Sequence, residues 1–156
     1  MSAAELMLRA AKLGLSGVDV AEMAGVTDVM EALRSEEMVS ELLSDLEDVE
    51  ADCDALVTKC MGVVEDMLRS LPGTNVAIPD RFAVTTYATN EGLRGDAVFG
   101  GRRAMVGRGR AVGGFAGVHR VAVARFVERA ERRLGIEFDI KLFEIDPRVW
   151  EHHIPQ

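Results

Sequence analysis

The sequence predicts an α+β protein: helices over residues 1–71, then a small α/β unit over 72–156. Three observations carry this. A heptad pattern of apolar residues runs unbroken through 35–71, and Pro72-Gly73 stops it. Beyond that stop, strand-type alternation is interleaved with one further amphipathic helix. The chain has 156 residues, of which 48% are apolar, enough to build a core in one domain or in one domain with a helical extension. Aromatic residues make up only 5%, so the core must be built from Val, Leu, Ala, Ile and Met.

The elements follow in order. Leu6, Met7, Ala10, Ala11 and Leu13 give residues 3–14 the spacing of a short amphipathic helix that ends at Gly14 and Gly17. Residues 18–24 read as a second short helix, Gly25-Val26-Thr27 as a turn, and Thr27 or Asp28 as the cap of the helix that follows over 28–37. Val39, Leu42, Leu46, Val49, Cys53, Leu56, Cys60, Val63 and Met67 then alternate steps of three and four. Leu43, Val57, Val64 and Leu71 widen this seam, which suits packing in a bundle or against a domain. Cys53 and Cys60 are separated by about 10 Å of helix rise, too far for a mutual disulfide. They read as small hydrophobes in the seam.

Residues 75–79 and 81–87 are rich in β-branched and aromatic residues and read as strands. Residues 92–117 hold nine glycines and read as loops or a bent hairpin, with Ala97-Val98-Phe99 and Ala104-Met105-Val106 as short strands. Val118, Val121, Ala122, Phe126, Val127, Ala130 and Leu134 predict a helix over 118–134 that Gly135 terminates. Ile136, Phe138, Ile140 and Leu142 alternate with Glu137, Asp139 and Lys141, the pattern of a half-buried strand. A tail from Pro147 carries Trp150 and His152-His153.

Charge divides along the same line. The net charge is −8, but residues 1–71 hold 5 Lys/Arg against 16 Asp/Glu, whereas 92–125 hold 7 Arg against one Asp. An acidic surface of this extent repels a polyanion, which argues against a free-standing nucleic-acid binder. No stretch is long and charge-free enough to span a membrane, and no basic run precedes an apolar one at the start. The expected setting is cytoplasmic, or within an assembled particle.

The segment Asp19-Val20-Ala21-Glu22-Met23-Ala24-Gly25-Val26-Thr27 resembles the helix-turn-helix core of lactose-repressor-type DNA-binding domains. The resemblance covers about ten residues and implies a recognition helix over the residues that follow. Those residues, Asp28-Val29-Met30-Glu31-Ala32-Leu33-Arg34-Ser35-Glu36-Glu37, depart from the pattern. They are acidic where the motif is polar or basic, and Glu31 stands where the family buries a Val.

Gly100-Gly101-Arg102-Arg103 and Gly107-Arg108-Gly109-Arg110 form the most pointed chemical feature. Glycine lets backbone approach an anion, and Arg presents a planar fork to phosphate or carboxylate. The polyanion- or neighbour-binding residues are therefore Arg102, Arg103, Arg108 and Arg110. Their partner is the acidic helix of another copy or, alternatively, a nucleic-acid backbone. The glycine spacing around Gly107 does not match a dinucleotide fingerprint, and no phosphate-cradling G-x-x-x-x-G-K loop is present. His119, beside Arg120 at a helix start, is expected at the surface or as a cap. His152 and His153 are adjacent in a tail, so they point opposite ways. No catalytic, metal or cofactor constellation can be placed.

These features predict a non-catalytic, self-assembling structural protein, such as a virion, phage-particle or other multimeric subunit. Its homo-oligomer seam would use Val39, Leu42, Leu46, Val49, Leu56, Val63 and Met67. A nucleic-acid-binding adaptor or regulator, using residues 18–34 or the Arg/Gly loop, is the alternative reading. A small nucleotide-binding enzyme domain is a third.

Overall fold

The computed structural model describes residues 2–70, 81–98 and 114–143. Helices α1 (Ala3–Lys12), α2 (Gly17–Ala24), α3 (Val29–Leu33) and α4 (Glu36–Ser70) come first. Strand β1 (Arg81–Tyr87), helices α5 (Asn90–Val98) and α6 (Ala116–Leu134), and strand β2 (Glu137–Phe143) follow. The protein is α+β.

Each short helix begins on a side-chain cap. Ser2 caps α1, and Ser16 and Asp19 form a reciprocal capping box on α2, with Ser16 N donating to Asp19 Oδ2 at 2.9 Å. The predicted helix over 28–37 is in fact two. Asp28 caps α3 through Met30 N, and Ser35 caps α4 by accepting from Met38 N at 3.2 Å, so the chain re-nucleates between them. Gly25 and Gly135 end α2 and α6 in the left-handed conformation.

Residues 92–98 do not form the expected loop and strand. They belong to α5, although Gly92 and Gly95 lower its helix propensity. Thr89 Oγ1 accepts from Gly92 N at 3.0 Å, and Leu93 is fully buried against Tyr87 and Ala116. Tertiary packing overrides propensity here. The strands expected at 75–79 and 104–106, and the tail with Trp150, His152 and His153, lie outside the described residues.

The sheet has two parallel strands, with Phe82 opposite Phe138, Val84 opposite Ile140 and Thr86 opposite Leu142. One core joins the two predicted regions. Leu6, Leu15, Val20 and Leu46 from the N-terminal helices share it with Val118, Phe126 and Ala130 of α6. At one point backbone meets backbone. Gly14, at φ +77°, lies against Gly117 in the first turn of α6, and a Cβ on either residue would collide with the other's carbonyl.

Candidate assembly surface

The α4 stripe that the chain covers differs from the heptad seam in its second half. Val39, Leu42, Leu46, Val49 and Cys53 are buried, but the buried line then runs through Val57, Met61 and Val64. A straight helix turns about 20° out of register with each heptad. The seam residues Leu56, Val63 and Met67 rotate towards one flank accordingly. Leu56 is half-buried, whereas Val63 is 52% and Met67 45% exposed.

Rotation is not the whole reason. Val49 and Met67 lie eighteen residues apart, five full turns, so both occupy the same face of α4. Val49 is nevertheless fully buried and Met67 nearly half exposed. The residue five turns before Val63 is Asp45. The apolar stripe thus widens in the half of α4 that the described residues leave open.

That open half forms one wall of a groove of about 610 Å³. Leu56, Cys60, Val63 and Met67 line it from α4, Phe82 and Val84 from β1, and His119 and Phe126 from α6; no residue of α1, α2 or α3 does. Phe138 of β2 also lines it, 5.0 Å between ring centroids from Phe126 and 5.9 Å from Phe82. Further along the same face of β2, Ile140 and Leu142 are 53% and 56% exposed.

Polar groups in the groove are few. Asp52 lines it with a buried Oδ2 that has no hydrogen-bond partner among the described residues. His119 is buried, contrary to the surface or capping position expected of it. Its Nδ1 lies 2.9 Å from Thr86 Oγ1, and its ring meets Tyr87 edge-on at 5.0 Å. It stands one turn into α6 on the inner face, in line with Val123 and Phe126, which is why α6 carries it inward. Burial pushes the thiols of Cys53 and Cys60 up from their ordinary value, with Arg125 acting against that at Cys53 and Lys59 at Cys60. Both are held as neutral thiols, the poorly nucleophilic form.

A second polar cluster ties the two halves of the chain together. Asn90 Nδ2 donates to Asp19 Oδ1 at 2.8 Å, and Asn90 Oδ1 accepts from Ala116 N at 2.7 Å. Asn90 therefore caps α6 from outside, where Phe115 offers no capping side chain. Arg94 meets Glu22 through its two terminal guanidinium nitrogens, at 3.0 and 3.1 Å, and its cation lies 5.6 Å from the centre of the Phe115 ring. The helix that resembles a DNA-binding motif thus directs Asp19 and Glu22 to α5. The α3 that follows it has only five residues, against the longer recognition helix the resemblance implies.

Of the residues the sequence singles out, Val39, Leu42, Leu46 and Val49 sit in the chain's own core, and Leu56, Val63 and Met67 border the groove. Arg102, Arg103, Arg108 and Arg110 lie outside the described residues. Asn90 and Thr86 escape sequence reasoning because their partners are distant in the chain. The role of Asp19 is announced by Ser16-x-x-Asp19, a capping-box spacing. Among the described residues, no cluster of three His, Cys, Asp or Glu is placed to hold a metal ion, and no helix is long and apolar enough to cross a membrane. No family model and no curated protein matches the sequence.

Proposed function

We propose that the chain is a non-catalytic subunit that assembles with copies of itself through the apolar surface that the described residues leave uncovered. One observation supports this above the others. At equivalent positions on α4, Val49 is buried and Met67 is not, and Val63 stands where the covered half carries Asp45. Single exposed apolar residues such as Leu8 and Val18 need no partner, but Val63 and Met67 border one contiguous apolar groove, the kind of surface that marks a contact. Ile140 and Leu142 extend the uncovered surface onto β2. Charge would orient the copies, since the acidic residues of α4 complement Arg102, Arg103, Arg108 and Arg110.

Light scattering across a dilution series tests the proposal. The expected mass rises above the 17.0 kDa of one chain as concentration increases. A mass of one chain at every concentration would overturn it. Replacing the four arginines with Ala is expected to weaken assembly and leave nucleic-acid content unchanged. Loss of a salt-sensitive nucleic-acid complex in that variant would transfer these residues to a polyanion partner.

A further inference from the structure

Asp52 is an acid on the apolar side of α4. It precedes Leu56 by one turn and Cys60 by two, so it stands in line with residues that line the groove. Its neighbours in the acidic stretch are placed otherwise. Asp48 and Glu50 are exposed, and Asp54 turns to Arg125 at 3.4 Å. The buried Oδ2 of Asp52 lacks a donor, and an ionised carboxylate can only accept. Leaving such an oxygen unmet costs free energy, so the site is completed by a group that brings an N–H to it.

The other polar groups of the groove do not supply that donor. His119 Nδ1 is engaged with Thr86 Oγ1, and Lys59, two turns along α4, is exposed and makes no bond to the oxygen. The rest of the lining is mainly apolar, with Leu56, Val63, Phe82, Val84, Phe126 and Phe138 contributing. Small-molecule sites are built this way, with apolar and aromatic walls, a few placed polar groups and a volume of about 300–1,000 Å³. The groove, at about 610 Å³, falls within that range.

We infer that the groove binds a small molecule with an aromatic or aliphatic body and a primary ammonium group that donates to Asp52 Oδ2. The ammonium brings both the missing donor and the opposite charge, and removal from bulk water strengthens their attraction. The apolar walls hold the body by burial. This inference goes beyond the self-assembly reading and does not depend on it. Asp52 and Met67 are separated by about 22 Å of helix rise, so an ammonium at Asp52 leaves the exposed Met67 end for a neighbour.

Titration followed by nuclear magnetic resonance, with phenethylamine and with hydrocinnamate, tests it. The two probes share an aromatic body and differ in the charge at its end. The amine is expected to bind at least about tenfold more tightly than the acid. Contacts from its ring to the methyl groups of Leu56 and Val84 should place it in the groove. Asp52→Asn keeps the shape of the side chain at a partly exposed helix position, so the fold is retained, and an unchanged urea midpoint checks this. That variant should lower the amine to the affinity of the acid.

Absence of amine binding, equal affinity for the two probes, or an Asp52→Asn variant that binds the amine as before would each overturn the assignment. If the amine instead dissociates an assembled chain in light scattering, the donor to Asp52 is a cationic side chain of the neighbouring copy, and the small-molecule assignment falls. If the amine binds and the chain is a monomer at every concentration, self-assembly falls and the groove assignment stands.

Discussion

Over residues 39–53 the apolar seam of α4 is sealed beneath the chain's own helices, whereas over 56–67 it borders an open groove. The two stretches share one heptad pattern, and Val49 and Met67 share one face. Their different burial shows that a heptad seam is not by itself an oligomer seam. The first half is consumed in the chain's own core. In the second half the buried line shifts to Val57, Met61 and Val64, and the stripe widens to Val63 and Met67, which stay about half exposed.

The sharpest way to break this comparison is to truncate one residue from each half. Leu46→Ala is expected to cost about 2–5 kcal/mol of folding stability in urea denaturation, because it empties a fully enclosed site. Val63→Ala should change folding stability by no more than about 0.5 kcal/mol, with its effect read in assembly instead. Equal losses at both positions would mean that the halves of α4 do not differ as described.

Gly117→Ala comes next. It sets a methyl group against the Gly14 carbonyl and is expected to cost about 1–3 kcal/mol by forcing α6 away from the α1–α2 turn. Asn90→Ala should follow at about 1–2 kcal/mol, since it removes both the bond to Asp19 and the cap on α6. Its loss should be seen first as faster amide exchange in the opening turn of α6.

The smallest effect is a pH dependence. Cys53 and Cys60 hold their protons more tightly in the folded chain than in the unfolded one. As pH rises through the ordinary thiol value of 9.0, the unfolded state releases protons that the folded state retains, so stability falls. Below that value the thiols contribute no slope. The urea midpoint is expected to decline between about pH 8 and pH 10, and Cys53→Ser with Cys60→Ser should remove that part of the decline. A midpoint that rises over this range in the wild type alone would reverse the assignment.

Most of the architecture was legible in the sequence. The periodicity of α4 and α6, the alternation of β2 and the glycine that ends α6 each act locally, and local rules sufficed for them. The heptad run begins at Ser35 in the sequence, where α4 starts, but local helical spacing carries the preceding helix on to residue 37, past the Ser35 cap that separates α3 from α4. Helix α5 was hidden because Leu93 is anchored by residues remote in sequence. His119 was misplaced for a similar reason: its partner Thr86 comes from β1, and no local pattern links them. The seam residues were found correctly as apolar, but which half is covered depends on where α1, α2 and α3 pack, which no single helix records.

The proposed assembly makes one contrast: residues 39–53 of α4 are spent in the chain's own core, while the exposed apolar residues Val63, Met67, Ile140 and Leu142 would be covered by a second copy. Hydrogen exchange followed by mass spectrometry at a dilute and a concentrated condition tests it most directly. Exchange in Glu137–Phe143 is expected to slow on concentration, while residues 39–53 exchange at the same rate in both samples. Identical exchange in β2 at both concentrations would contradict the claim.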